Sequence, residues 1–239
     1  MSVTPYGTDA TKREQVEHMF DAISPKYDLL NRVLSMGVDQ SWRRKTIKAI
    51  GAEPVERLLD VATGTADMAI MAARRNAARS IVGADISAGM LEVGKKKVKS
   101  AGLEERIVLQ QADSEALPFT DNTFDAASVA FGARNFQDLR KGLADMCRVL
   151  RPGGRIFVLE FSKPSGLMSP LFRFYFHFIM PLIGRLVSKD SAAYTYLPKS
   201  VDAFPDGDAF LAVLRAAGFR EVAQRRFTGG IATLYSGRK

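Results

Sequence analysis

The stretch Leu58-Leu59-Asp60-Val61-Ala62-Thr63-Gly64-Thr65-Ala66-Asp67 constrains the fold more than any other part of the chain. Apolar residues at 58, 59, 61 and 62 fit a strand covered on both faces, and Met68, Ile70 and Met71 continue with helical spacing after a turn at Gly64. Glycine there lets backbone approach a ligand where a Cβ would clash. A dinucleotide fingerprint needs G-x-G-x-x-G, and only Gly64 is present. The acids Asp60 and Asp67 repel phosphate and attract an ammonium or sulfonium, which turns the expectation away from a polyphosphate. Taken singly, both acids are also ordinary turn and helix-start residues.

A second apolar run, Ser80-Ile81-Val82-Gly83-Ala84-Asp85, ends in an acid 21 residues after Gly64 and is followed by Ile86. An acid at the end of the second strand of a nucleoside-binding α/β fold accepts hydrogen bonds from ribose hydroxyls. S-adenosylmethionine is the cofactor that combines a ribose with a sulfonium and carries no phosphate. Residues 106–110 form the third expected strand, with Ala112-Asp113-Ser114 at its carboxyl end, where Asp113 can accept from an adenine amino group. The fourth, 126–130, runs into Phe131-Gly132-Ala133-Arg134-Asn135. A helix with Leu139, Leu143, Met146 and Leu150 stops at the turn signal Arg151-Pro152-Gly153-Gly154, and strand five follows over 155–161. Strands alternating with helices from 57 to 161 predict right-handed βαβ units and a parallel sheet with its ligand at the carboxyl ends. Residues 221–227 and 231–236, across Gly229-Gly230, predict a terminal antiparallel hairpin.

The segment before the first strand reads as two helices, from Thr11 to Pro25 and from Ser41 to Ile50, joined by an irregular connector and placed as a cap over the pocket. Residues 1–50 are accordingly expected as a helical cap and 51–239 as the main domain. Trp42 reads as a core anchor, and Arg43, Arg44, Lys45 and Lys48 as a solvated face, as do Lys95, Lys96, Lys97 and Lys99. An insert at about 165–200 is dense in Leu, Phe, Met and Ile between 167 and 187, but Arg173, His177, Arg185 and two prolines argue against a membrane span. It remains open as lid, interfacial helix, ligand wall or ordinary core. Cys147 is the single cysteine, so no disulfide framework is possible. Residues 1–13 lack the apolar core of a signal peptide, and a cytoplasmic location, peripheral at the membrane, is expected. Lys and Arg exceed Asp and Glu by 34 to 26, which raises the question of an anionic partner. Aromatics are not interleaved with basic residues, so nucleic acid is not expected; nor is a metal.

The series Asp60-Val-Ala-Thr-Gly-Thr65, Ala84-Asp85, Ala112-Asp113, Leu117-Pro118-Phe119 and Arg148-Val-Leu-Arg-Pro-Gly-Gly154 resembles class I S-adenosylmethionine-dependent methyltransferases. Within them, Tyr27-Asp28, Asn31, Leu34-Ser35, Trp42, Phe131-Gly132, Arg134-Asn135 and Leu159-Glu-Phe-Ser-Lys-Pro164 resemble the UbiE/MenG (COQ5-like) quinone C-methyltransferases, over about residues 12–239. The resemblance implies a Rossmann-like α/β fold with a mostly parallel seven-stranded sheet. It implies methylation of a prenylated quinol, demethylmenaquinol first, with a methoxy-benzoquinol or another phenolic or sterol-like substrate as alternatives. A basic membrane- or RNA-binding protein with a vestigial pocket is the non-enzymatic alternative. The cofactor set implied is Asp60, Gly64, Thr65, Asp85, Ile86, Ala112, Asp113, Ser114 and Ala130. Arg134 is expected to stabilise a phenolate, Asn135 and Tyr27 to orient the quinol, and the base stays open among Asp28, Tyr27 and a water. Three positions depart from the family pattern: Ala66 replaces a glycine, Asp39 a histidine and Ala130 a serine. They leave open the cofactor packing at 66, remove an imidazole base at 39 and remove a hydroxyl at 130.

Overall fold

A computed structural model describes residues 3–164, Phe174 and 192–239. The expectations for residues 167–187 therefore lie outside the described residues, Phe174 excepted. The architecture is a seven-stranded sheet in the order β3-β2-β1-β4-β5-β7-β6. Strands β1 (Arg57–Val61), β2 (Ser80–Asp85), β3 (Ile107–Gln111), β4 (Phe124–Ala130) and β5 (Leu150–Phe161) run parallel, and β6 (Arg220–Phe227) and β7 (Ala232–Arg238) add antiparallel at the β5 edge. The order reverses between β1 and β4. That switch point opens a crevice at their carboxyl ends.

The apolar runs become buried strands because helices cover both faces of the sheet. Leu58 and Ile81 pack on one side with Trp42, Ile47 and Ala69, and Leu59 and Val129 on the other with Leu143, Phe210 and Tyr235. These helices are α4 (Asp67–Arg74), α5 (Ala88–Ser100), α6 (Leu139–Val149), α7 (Ala192–Ala203) and α8 (Asp208–Ala216), preceded by α1 (Lys12–Ile23), α2 (Tyr27–Leu34) and α3 (Val38–Ile50). Strand β5 begins at Leu150, five residues before the sequence reading placed it. The turn residues are absorbed because Leu150 pairs with Phe124 and the 153–154 backbone bonds to Lys239.

The N-terminal segment departs more. Tyr27–Leu34 is a helix where an irregular connector was expected. Pro25 lies in a single 3-10 turn, Ser24–Lys26, where its fixed φ suits a helix start, so the chain bends and resumes as helix instead of stopping. Gly37, at φ 73°, then turns it into α3. Thr11 and Glu14 close a capping box on α1, whose Val16, Met19 and Ile23 pack with Met90 of α5 and Tyr196 of α7.

Polar clips hold these helices over the carboxyl ends. Asp21 accepts from Ser87 Oγ at 2.6 Å and from the Gly89 amide at 2.9 Å. Asp28 accepts from Thr65 Oγ1 at 2.6 Å and from Lys97 Nζ at 2.6 Å, and Lys97 also reaches Asp67 at 2.5 Å. Lys97 is thus a cross-link, which corrects its reading as part of a solvated face; its partners lie on other elements and are invisible to helix periodicity. Arg43 is a second correction. It is buried, paired with Asp39 at 3.3 Å and stacked 5.3 Å from the Phe131 ring centre, whereas Arg44, Lys45 and Lys48 are exposed as expected. Trp42 is a core anchor that donates to Thr228 Oγ1 at 2.8 Å.

Candidate functional site

The crevice is built on strained backbone at the two central strands. Ala62, just after β1, and Phe131, just after β4, both adopt positive φ, 51° and 60°. Such conformations cost about 1–3 kcal/mol each and persist where surrounding structure dictates them. Gly132 allows the two turns to meet: a Cβ there would lie 2.5 Å from that of Ala62. Phe131 is held by Trp42 and Phe161, with ring centres 6.2 and 4.7 Å away. Gly64 closes the first turn at φ 57°, open towards the Tyr27 ring.

On the β1–β2 side the polar groups satisfy one another. The Asp85 carboxylate, 8% exposed, accepts from the Gly64 amide at 2.7 Å and the Ser87 amide at 2.9 Å. Burial raises its pKa to about 6; the amide bonds oppose that shift and the nearby Asp60 charge adds to it. Asp60, wholly buried, accepts from Thr63 Oγ1 at 2.8 Å and Ser128 Oγ at 2.7 Å, and burial pushes its pKa up as well. Asp113 holds Arg13 at 3.1 Å and accepts from the Glu115 amide.

On the β4–β5 side they do not. Residues Ala133–Asn135 form a 3-10 turn. Arg134 pairs with the fully buried Glu160 at 2.8 Å, donates to the Phe131 carbonyl and stacks over Phe161. Glu160 also accepts from the amides of Arg134 and Phe161. Lys12 of α1 fixes the turn from outside, donating to the carbonyls of Arg134 at 2.9 Å and Phe136 at 2.8 Å. Burial, aided by the Arg134 charge, lowers the Lys12 pKa to about 8. Among the described residues, the buried side-chain atoms without a hydrogen-bond partner are Arg134 Nε, Asn135 Oδ1 and Tyr196 Oη. A buried unsatisfied polar atom costs about 1–3 kcal/mol, so three around one turn set this end of the crevice apart.

The expected site residues separate accordingly. Gly64, Asp85, Ile86, Ala112, Asp113, Ser114, Ala130, Tyr27 and Asn135 line one cleft, whose outer wall is Val16, Phe20 and Arg13 of α1. Asp60 and Thr65 lie in an adjoining polar recess with Arg43, Thr63 and Asp67. Arg134 stands behind the cleft wall, with its charge matched by Glu160. Both carboxylate oxygens of Asp28 are engaged. Asp39, where the resembled family has histidine, accepts from Ser35, Gln40 and Arg43. Sequence reasoning missed Lys12, Arg13 and Tyr196, and no local pattern marks any of them.

Residues 8–239 match the model of the ubiE/COQ5 methyltransferase family. A demethylmenaquinone methyltransferase of Bacteroides fragilis is 47% identical over 238 residues, 99% of this chain and 97% of that protein. A ubiquinone/menaquinone biosynthesis C-methyltransferase UbiE of Geotalea daltonii is 49% identical over 230 residues, 95% of this chain and 97% of that protein. Among solved structures, the [4+2]-cyclase SpnF superposes with a TM-score of 0.71 at 20% identity, covering 96% of each chain. A Haemonchus contortus phosphoethanolamine N-methyltransferase 2 in complex with S-adenosyl-L-methionine gives 0.69 at 15%, covering 98% of this chain and 60% of that one. At those identities the superpositions speak for the fold alone.

Proposed function

Because the chain belongs to the ubiE/COQ5 methyltransferase family, we propose that it transfers the methyl group of S-adenosylmethionine to a ring carbon of demethylmenaquinol. The observation that carries this reading is the cleft at the β1–β4 switch point, with a buried carboxylate at one end and Asn135, whose Oδ1 is unpartnered, at the other. The carboxylate end fits the cofactor. Asp85 accepts the ribose hydroxyls, Ile86, Met90 and Ala112 offer apolar surface to the adenine, and Asp113 accepts from its amino group. The recess with Asp60, Thr65 and Arg43 takes the charged amino-acid end; a guanidinium there matches a carboxylate.

When bound, the cofactor supplies an electrophilic methyl group and leaves as a neutral thioether, while the ring carbon exchanges its hydrogen for methyl and releases it as a proton. The chain's contribution is to hold the quinol so that its carbon faces that methyl and to favour the phenolate, which makes the carbon nucleophilic. Orientation alone contributes up to roughly 7–11 kcal/mol in the best intramolecular cases. Tyr27 and Asn135 orient the ring, and the Arg134 guanidinium donates to the developing phenolate. The engaged carboxylate of Asp28 leaves Tyr27 or a water to receive the phenolic proton.

The demethylmenaquinol assignment has a direct test. Purified protein with methyl-labelled cofactor is expected to label demethylmenaquinol well above a 2-methoxy-6-polyprenyl-benzoquinol; the reverse preference would move the enzyme to the ubiquinone branch.

We further propose that residues 167–187 of the insert receive the prenyl tail at a membrane surface. Their apolar composition supports this, as does Phe174, which is 56% exposed. Arg173, His177, Arg185 and two prolines within 167–187 argue against a span, so contact would be peripheral. Replacing Phe174 and Phe178 by Ser should raise KM for a long-tailed quinol and spare a tail-less analogue; equal losses would make the insert ordinary core.

A further inference from the structure

Tyr196 lies in α7, 61 residues beyond the Arg134-Asn135 turn, and no sequence motif ties it to the chemistry. Its side chain is 3% exposed, among Val16, Met19, Ile23 and Met90. A hydroxyl in such surroundings normally finds a partner, yet this one has none within the described residues. Helix α7 packs on the 133–135 turn. The charges that reach the Tyr196 hydroxyl are those of Arg134 and Glu160, which act on it in opposite directions.

The three unpartnered atoms are chemically complementary to one ligand group. Arg134 Nε–H and Tyr196 Oη–H can donate, and Asn135 Oδ1 can accept. A phenolic hydroxyl offers one proton and two lone pairs, so it matches that set of two donors and one acceptor. An aliphatic ether, a carboxylate or an ammonium does not. The Arg134–Glu160 pair has little net charge, so a second donor is what a developing phenolate lacks if Arg134 acts alone.

We propose that Tyr196 closes, with Arg134 and Asn135, a hydrogen-bonding socket for one ring hydroxyl of the substrate, and that Tyr196 is a substrate-binding residue of this site. The inference rests on the quinol reading above. Asn135 is the member that lines the cleft, and the other two are buried next to its turn.

The test is Tyr196→Phe, which removes only the oxygen. Under anaerobic conditions with S-adenosylhomocysteine present, 1,4-naphthohydroquinone is titrated calorimetrically into wild type and variant. The variant is expected to bind it at least tenfold more weakly, about 1.4 kcal/mol. Its melting temperature should stay the same or rise, because the hydroxyl has no partner in the chain to lose, and cofactor-product affinity should be unchanged. Equal quinol binding by the two proteins, or no binding by wild type, overturns the socket. A fall in melting temperature with unchanged quinol affinity would assign the hydroxyl a structural role and also overturn it. The readout is binding, so wild-type protein that binds the hydroquinone but methylates no demethylmenaquinol would refute the functional reading and leave the socket standing.

Discussion

The two ends of the cleft follow opposite rules. At the β1–β2 end every named carboxylate already holds donors from the chain: Asp85 has two amides, Asp60 two hydroxyls and Asp113 an amide and Arg13. At the β4–β5 end Arg134, Asn135 and Tyr196 each leave a buried polar atom unmatched. The first end is held by hydrogen bonds from its own chain, and the second keeps buried polar atoms without a partner among the described residues. The contrast fits the roles proposed for the two ends. On the proposed function the cofactor would meet a prebuilt site and the phenol would meet unsatisfied hydrogen bonds, which would reject a substrate lacking the matching hydroxyl.

The largest effect is expected at the unsatisfied end. Arg134→Lys keeps a positive charge beside Glu160 but loses the planar fork and the Nε donor. Turnover should fall by about 10²-fold, the scale of losing one donor to a developing oxyanion, with cofactor affinity nearly unchanged. A normal turnover rate in this variant would erase the distinction drawn between the two ends.

At the prebuilt end the effect depends on pH. Asp85 has a folded-state pKa of about 6 against an ordinary 3.8, because of its burial. Ribose hydroxyls need the carboxylate as acceptor, so affinity for S-adenosylhomocysteine should fall about tenfold between pH 7 and pH 5 as the group protonates. Stability runs the other way. The folded chain binds more protons than the unfolded chain between those two pKa values, so the contribution of this group is full below 3.8 and lost as pH rises through 6. Both trends should vanish in Asp85→Ala, and a flat affinity profile in wild type would count against the assignment.

The smallest effect concerns Ala66, where the resembled family carries glycine. Its φ is 66°, in the left-handed region, and its methyl group is fully buried. Ala66→Gly would relieve about 1–2 kcal/mol of left-handed strain and forfeit about 0.8 kcal/mol of methyl burial plus a further 0.5–1 for the added freedom of the unfolded chain. The terms nearly cancel, which accounts for alanine at this position. The change in unfolding free energy should stay under about 1 kcal/mol, and a loss above about 2 in a denaturant melt would show that the methyl is a packing element.

The same division governs what was legible in the sequence. The prebuilt end is local: Leu58 to Asp67 and Ser80 to Asp85 are continuous strand-and-turn runs that put Gly64 and Asp85 at strand carboxyl ends, and the structure joins the two by a hydrogen bond. The other end is assembled from afar. Lys12 meets the carbonyl of Arg134 across 122 residues, and Tyr196 arrives on a helix that belongs to the opposite end of the chain. Periodicity sees only the face of a helix, so Lys97 and Arg43 looked solvated until α2 and the sheet supplied their partners. Pro25 looked like a terminator because its fixed φ also suits the start of a new turn, and only the packing of α2 shows which applies.

The division is tested most directly by calorimetric titration of S-adenosylhomocysteine into Asp85→Ala and Asn135→Ala side by side at pH 7. Asp85→Ala should lose at least tenfold in affinity, about 1.4 kcal/mol, while Asn135→Ala changes by less than about twofold. Equal losses in the two variants, or an unchanged dissociation constant in Asp85→Ala, would contradict the account.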